Sequence, residues 1–156
     1  MSSIRVGDRA PAFSGVTQTG ETVALDDLLD KQAIVLFFYP KDNTAICTRE
    51  ACAFRDAYED FTAAGATVIG ISSDSADDHR QFAGSHKLPY LLISDTAGAV
   101  RKAFGVPKTL GLLPGRVTYV IDRAGIVRHI FNSQFAADRH VQEALKIVRE
   151  LNAAAS

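Results

Sequence analysis

Cys47 and Cys52 have the clearest potential for chemistry in this 156-residue chain, and they are its only cysteines. They follow an apolar run that ends at Pro40 and a short polar turn that ends at Thr44. A thiol where a strand passes through a loop into a helix lies near unpaired backbone N–H groups and the positive end of the helix dipole, which lower its pKa. We therefore expect an exposed, reactive thiol and thiol redox chemistry.

The position of Cys47 within the predicted helix supports this interpretation. Thr44 is a good N-cap residue, and capping there places Cys47 at the third helical position. Reactive cysteines in such settings have pKa values of about 3.5–7.5, against about 8.5 for a free thiol. Pro40 and the buried strand before it would fix the loop and screen it from water. The alternative is that Cys47 is a small apolar residue at a helix start.

Cys52 lies five residues further along the same predicted helix. Five residues rotate about 500°, which places Cys52 about 140° around from Cys47, with an axial rise of about 7.5 Å. A disulfide needs Cα atoms closer than about 7 Å, so the two cysteines can pair only if the first helical turns unwind. Cys52 is therefore either a core residue between Ala51 and Phe54 or the thiol that resolves an oxidised Cys47.

The overall composition limits the partners and the compartment. There are 17 basic and 18 acidic residues, giving a net charge of −1, so we expect neither nucleic acid nor an anionic membrane as a partner. No apolar run approaches the roughly 20 residues of a membrane span, and the N-terminus lacks the apolar core of a signal peptide. We expect a cytoplasmic protein, in which two cysteines are more often catalytic or metal-binding than structural.

A metal centre is not expected, because two cysteines cannot complete a zinc site and the histidines are scattered without metal-ligand spacing. We assign these histidines surface or half-buried structural roles: His79, His86, His129 and His140.

Hydrophobic periodicity predicts alternating strands and helices within one domain over residues 1–156. The predicted strands are a hairpin at 16–25, buried strands at 33–39, 66–71 and 90–94, and a second hairpin at 116–122 and 126–132. The predicted helices are 48–64 closed by Gly65, a helix from the 72–78 turn to Lys87, a short helix from Asp95 to Phe104, and 138–151. Residues 106–115 read as a loop. This alternation indicates an α/β fold with a mixed central sheet and helices on both faces.

The spacing P-x-x-x-T-x-x-C, here Pro40, Thr44 and Cys47, resembles the signature of peroxiredoxins. The stretch T-R-E-A-C-A-F-R-D at 48–56 is similar to the bacterioferritin comigratory protein or peroxiredoxin Q subfamily. Residues 7–13 and 115–122 resemble two further family segments. The resemblance implies a thioredoxin-like fold, no cofactor, and reduction of hydrogen peroxide and organic hydroperoxides, usually with thioredoxin as the electron donor. This subfamily is often monomeric.

The resemblance also implies a role for each matching residue. Cys47 would be the peroxidatic cysteine, and Cys52 would resolve it as an intramolecular disulfide. Thr44 would donate a hydrogen bond to the peroxide, Arg116 would keep Cys47 ionised and polarise the peroxide, and Pro40 would shield the site. Without the resemblance, Arg116 would read equally well as a solvated arginine at a strand start. The family usually has Pro-Gly where this chain has residues 45–46, Ala-Ile.

Two other functions use the same cysteines. A thioredoxin-like disulfide reductase would need C-x-x-C, but the first of those positions is Thr44, which speaks against it. A redox sensor or holdase could signal through a Cys47–Cys52 disulfide. Arg49 and Glu50, which follow Cys47 closely, either order the first helical turn or form a solvated helix face.

Overall fold

The computed structural model describes residues 4–28, 32–42, 44–106, 108–109, 113–114, 116–133 and 136–155. The strands are β1 Ser14–Thr17, β2 Thr22–Ala24, β3 Ala33–Phe38, β4 Ala66–Ser72, β5 Leu91–Ser94, β6 Lys108–Thr109, β7 Leu113–Pro114, β8 Val117–Ile121 and β9 Val127–Asn132. The helices are α1 Ala45–Asp56, α2 Tyr58–Ala63, α3 Ala76–His86, α4 Ala99–Phe104 and α5 Ala137–Ala155, with a short 3-10 helix at Leu25–Asp27.

Seven of these strands form one mixed sheet in the order β2-β1-β5-β4-β3-β8-β9. Strand β3 pairs in parallel with β4 on one side and antiparallel with β8 on the other, while β5 continues the parallel part beyond β4. All six residues of β3 are buried, as a continuous apolar run predicts for a strand covered on both faces. The turn that precedes α1 therefore starts at the end of β3, a strand inside the sheet with a neighbour on each side.

The two faces of the sheet carry separate apolar clusters, because side chains alternate along each strand. Val35 and Phe37 of β3 join a cluster with residues of α1, α2, α3 and α5. Leu36 and Phe38 face the other way, into a cluster that includes Phe104 of α4. The predicted α/β class, with a mixed sheet and helices on both faces, is confirmed.

Element boundaries differ from the sequence prediction in several places, two of which change the number of elements. The predicted helix 48–64 starts earlier, at Ala45, and divides into α1 and α2 at Ala57, whose φ of −95° and ψ of 5° interrupt the helix. Alanine is a good helix former, so the sequence carries no signal for this break. Within the predicted loop 106–115, strands β6 and β7 form a short antiparallel ladder, and residues 107, 110–112 and 115 lie outside the described residues.

Helix α3 begins and ends close to the predicted positions, whereas α4 begins at Ala99, four residues after the predicted start at Asp95. Gly65 follows α2 with a φ of +79°, a left-handed conformation that glycine adopts without steric cost. Helix α5 extends beyond the predicted 138–151 at both ends. In the described part of the chain, no helix combines the length and the apolar character needed to cross a bilayer.

Candidate active site around Cys47

The turn after β3 places Cys47 where the sequence predicts. Thr44 has extended backbone angles (φ −90°, ψ 154°), and α1 begins at the next residue, so Cys47 is the third helical residue. The expectation that the thiol is exposed is wrong, because Cys47 is only 1% accessible. It packs in the same apolar cluster as Ala51 and Phe54 of its own helix, which turns this side of α1 toward the sheet.

Arg116, immediately before β8, contacts Cys47 directly. Its Nη2 donates to the Cys47 Sγ at 3.1 Å, and its Nη1 donates to the Glu50 Oε1 at 2.6 Å. Arg116 is itself buried, which excludes a solvated surface arginine. The guanidinium fork therefore connects the thiol with a carboxylate one helical turn further along α1.

Glu50 is a site residue that the sequence reasoning did not identify. It is fully buried, so a solvated helix face is excluded for this residue, whereas Arg49 is exposed. Glu50 lies three residues after Cys47 and four before Phe54, and residues at these spacings share one face of a helix. That spacing was the available signal, but the burial depends on Arg116, which is 66 positions away in the chain.

The environment of Glu50 favours its protonated form. Burial raises the pKa of Glu50 to about 7, although Arg116 acts in the opposite direction. Only Oε1 is hydrogen-bonded to a described residue. The second oxygen, Oε2, has no hydrogen-bond partner among the described residues and lies 3.5 Å from the Nδ1 of His140.

His140 of α5 lies behind Glu50 and is fully buried, not at the surface or half-buried as predicted. Its Nε2 lies 2.7 Å from the Ser133 carbonyl oxygen, which can only accept, so Nε2 carries the hydrogen. Its Nδ1 is 2.7 Å from the Thr118 Oγ1. Burial lowers the pKa of His140 to about 4, and the nearby Arg116 charge adds to this effect. At neutral pH, the imidazole is therefore uncharged, and Nδ1 accepts the Thr118 hydroxyl hydrogen.

Thr44 occupies the N-cap position, but its side chain does not cap the helix. The exposed Thr44 hydroxyl donates to the Lys41 carbonyl oxygen at 2.9 Å. Pro40 is half-buried in the bend between Tyr39 and this turn. The structure therefore brings Cys47 and Arg116 into contact, with Thr44 and Pro40 in the turn that leads into α1.

Cys52 is half-buried and, like Cys47, is present as a free thiol. Both cysteines lie within α1, so the helical geometry that keeps them apart applies to the structure. Disulfide formation between them requires α1 to unwind locally.

The turn itself is tied to α3 by a buried group centred on Asp42. Its Oδ2 lies 2.6 Å from the His79 Nδ1, its Oδ1 accepts from the Tyr39 hydroxyl, and its N–H donates to the Asp74 Oδ2 at 2.8 Å. His79 also donates through Nε2 to the Ile93 carbonyl at 3.1 Å, and it is fully buried, again contrary to prediction. Ligand-type atoms of Asp42, Asp74 and His79 lie within 4.8 Å of one another, but they are already engaged in these bonds.

Comparison with known proteins shows which family the chain resembles. A model of the AhpC/TSA family matches residues 6–130. The chain is 47% identical over 152 residues to a chloroplastic peroxiredoxin Q of Suaeda salsa, covering 97% of this chain and 71% of the relative. It is 49% identical over 146 residues to a chloroplastic peroxiredoxin Q of Triticum aestivum, covering 93% and 67%.

Solved structures show the same likeness. The peroxidoxin BcpB of Mycobacterium tuberculosis superposes with a TM-score of 0.88 at 38% identity, covering 95% of this chain and 98% of that one. Peroxiredoxin Q of Xanthomonas campestris superposes with a TM-score of 0.78 at 26% identity, covering 86% and 90%.

A thioredoxin-like fold with a buried thiol at a helix start defines the class, and the chain belongs to the AhpC/TSA family. Within that family, its relatives and structural neighbours are peroxiredoxin Q and bacterioferritin comigratory proteins, which confirms the resemblance. The protein is thus a peroxiredoxin, a thiol peroxidase that acts on a peroxide and is re-reduced by a thiol.

The expectation of a cytoplasmic location is contradicted. The curated relatives from Suaeda salsa, Triticum aestivum and Sedum lineare are chloroplastic proteins, so relatives of this chain do not support a cytoplasmic location. The prediction rested on the lack of a signal-peptide core and of a membrane-spanning run, and neither feature distinguishes the cytoplasm from a plastid.

Proposed function

We propose that this peroxiredoxin reduces hydrogen peroxide and organic hydroperoxides through Cys47, and that Arg116 supplies the charge for the reaction. The Cys47 thiolate would attack one peroxide oxygen, forming an S–O bond while the O–O bond breaks and an alkoxide or hydroxide leaves. The observation that carries the proposal is the 3.1 Å contact between the Arg116 Nη2 and the Cys47 Sγ. A fixed cation stabilises both the attacking thiolate and the charge that develops on the leaving oxygen.

Thr44 and Pro40 have supporting roles in the proposal. Thr44 would turn its hydroxyl from the Lys41 carbonyl toward the bound peroxide, exchanging one hydrogen bond for another. Pro40 would cover the approach to Cys47, a role that its half-buried position at the bend permits. Both residues flank the turn that Asp42 anchors to α3.

Cys52 would resolve the sulfenic acid on Cys47 as an intramolecular disulfide, releasing water. The first turns of α1 must unwind for this step. The resulting disulfide would be reduced by thioredoxin or a similar dithiol. We further propose a monomer, because one chain supplies the nucleophile, its cation and the resolving thiol.

The test is peroxide-dependent NADPH oxidation with thioredoxin and its reductase, run on wild type and on Cys47→Ser. Wild type should turn over peroxide in many-fold excess over protein, and Cys47→Ser should be inactive, because a serine hydroxyl is not ionised at neutral pH. Residual turnover within tenfold of wild type would exclude Cys47 as the nucleophile.

Assays on the same protein preparation distinguish a peroxidase from the two other functions that use a pair of thiols. Insulin reduction without peroxide turnover would indicate a disulfide reductase. A single stoichiometric oxidation without turnover, under both thioredoxin and dithiothreitol, would indicate a sensor or holdase. Turnover with dithiothreitol but not with thioredoxin would overturn only the assignment of the reductant. Light scattering of the reduced protein during gel filtration tests the monomer.

A further inference from the structure

We infer that Glu50 stores the proton that the leaving alkoxide or hydroxide takes up when Cys47 is oxidised, and that Glu50 and Cys47 alternate as the anionic partner of Arg116. The inference rests on the proposed role of Cys47 and adds a proton-holding residue that does not touch the peroxide.

The first observation is that two acidic side chains contact one buried guanidinium group. Arg116 donates to the Cys47 Sγ at 3.1 Å and to the Glu50 Oε1 at 2.6 Å, and all three side chains are buried. If both acids were ionised, two anions would contact one guanidinium, leaving a net negative charge out of water, which is costly. One proton shared by the two acids removes that excess charge.

The other charged and titratable groups around Glu50 do not supply a second cation. His140 on α5 is neutral, with Nδ1 accepting from the Thr118 hydroxyl, and burial holds the pKa of Tyr90, which precedes β5, well above its usual range. Arg101 on α4 acts electrostatically on Cys47, whereas Arg116 is the cation that acts on Glu50, and the Arg101 Nη2 donates to the Tyr39 carbonyl at 3.1 Å.

The second observation is the unpartnered oxygen. Oε2 of Glu50 is buried without a hydrogen-bond partner among the described residues, and it lies 3.5 Å from the acceptor atom Nδ1 of His140. Nδ1 carries no hydrogen and cannot donate to Oε2, so an ionised Oε2 would be a buried negative oxygen without a donor, and protonation removes that charge. The raised pKa of Glu50, about 7, agrees with this arrangement. These observations support placing the shared proton on Glu50.

The reaction then balances within the site. The thiolate sulfur gives two electrons to the peroxide, the S–O bond forms, the O–O bond breaks, and an alkoxide or hydroxide leaves. The sulfenic acid on Cys47 is uncharged, so Arg116 loses one anionic partner. Glu50 releases its proton, which neutralises the leaving oxygen through solvent, and the new carboxylate pairs with Arg116. No proton is taken from bulk solution in the net step.

The test measures proton stoichiometry in a Cys52→Ser background, which isolates the first step. One equivalent of hydrogen peroxide is added to the reduced protein in weakly buffered solution with a pH indicator, and intact-protein mass gives the extent of Cys47 oxidation. The ultraviolet absorbance of the thiolate records the ionisation of Cys47 beforehand. Glu50→Gln keeps an oxygen that can accept from Arg116 but holds no titratable proton, and Glu59→Gln on the exposed face of α2 is the matched control.

At pH 6, with thiolate present, we expect the parent protein and Glu59→Gln to take up no proton per Cys47 oxidised, and Glu50→Gln to take up one. At pH 8.5, where Glu50 has already ionised, all three proteins should take up one. Uptake of one proton by the parent at pH 6, or no thiolate there, would overturn the inference. Failure of the proposed function would appear differently, as the absence of an oxidised Cys47 mass.

A second measurement uses only the parent protein, so it tests the inference even if the Glu50→Gln variant does not fold. Infrared difference spectroscopy of the parent protein at pH 6 should show the loss of a protonated carboxyl C=O band and the gain of a carboxylate band on oxidation. An unchanged carboxyl region, with Cys47 oxidised, would also overturn the inference.

Discussion

The hydroxyl of Tyr90 donates a hydrogen bond of 2.6 Å to the backbone carbonyl of Ala51, the residue immediately before Cys52. Tyr90 is buried just before β5, so this bond attaches the middle of α1 to the sheet. The proposed disulfide requires α1 to unwind between Cys47 and Cys52, and that unwinding breaks the Tyr90 bond.

Tyr90→Phe should therefore accelerate disulfide formation. The bond is worth about 0.5–1.5 kcal/mol, which corresponds to an increase of about 2- to 13-fold in the rate of the resolution step. Stopped-flow measurement of disulfide formation after a peroxide pulse gives this rate. Tyr58→Phe, which changes a ring stacked on Tyr90, is the control and should leave the rate unchanged. Equal rates for Tyr90→Phe and wild type would show that this bond survives the resolution step.

Oxidation should partly melt α1. The axial separation of Cys47 and Cys52 forbids a disulfide in the intact helix, so far-UV circular dichroism should lose helical signal with equimolar peroxide and recover it with dithiothreitol. Cys52→Ser should keep its helical signal under the same treatment. A Cys47–Cys52 disulfide found by mass spectrometry without helical change would contradict this prediction.

Arg116→Ala should slow oxidation of Cys47 by about 10²–10³, the usual cost of removing one fixed electrostatic donor. Arg116→Lys should recover part of the rate, because it restores the charge but not the fork that reaches both Cys47 and Glu50. Competition kinetics with hydrogen peroxide give the second-order rate constants. The control is Arg128→Ala, which removes a half-exposed arginine paired with Asp122. An unchanged rate in Arg116→Ala would mean that its contact with the thiol has no catalytic effect.

Two buried groups should give opposite pH dependences of stability. The pKa of Glu50 is raised from 4.5 to about 7. Its contribution to the free energy of unfolding is therefore present below pH 4.5 and lost as pH rises through 7. The pKa of His140 is lowered from 6.5 to about 4, so its contribution is present above pH 6.5 and lost as pH falls through 4.

The difference in unfolding free energy between wild type and Glu50→Gln should thus shrink from pH 4.5 to 7, by up to about 3 kcal/mol. The difference between wild type and His140→Gln should shrink in the opposite direction, from pH 6.5 to 4. Urea melts across this range provide both differences. Parallel curves for the two variants would contradict the assigned protonation states.

Cys52→Ser should separate oxidation from resolution. The initial burst should survive, because attack on peroxide does not use Cys52, while thioredoxin-linked turnover should fall. Excess peroxide should drive Cys47 to the sulfinic and sulfonic states, which are largely irreversible. Intact-protein mass after a peroxide titration measures this. Wild-type turnover together with resistance to overoxidation would show that an external thiol resolves Cys47.

The sequence predicted the parts of the fold that local pattern controls. The apolar run of β3 and the position of Cys47 three residues after Thr44 follow from side-chain types and spacing alone. Burial of Glu50 could not be predicted in this way, because a glutamate in a helix is normally solvated unless a distant partner compensates it. Arg116 is that partner, and only the register of β8 beside β3 brings it to α1.

The anchoring of Asp42 to His79 affects how fast α1 refolds after the disulfide has been reduced. A free helix forms slowly at first because its nucleus is costly, whereas adding residues to an existing turn is easy. Asp42 fixes the chain just before α1, and Phe54 stacks on Phe37 of β3 with ring centroids 4.4 Å apart, which fixes its far half. The melted segment is therefore bounded by two ends that are held by contacts with the rest of the fold. Once the disulfide is cleaved, α1 can regrow by elongation at about nanoseconds per residue, without a new nucleation event in each catalytic cycle.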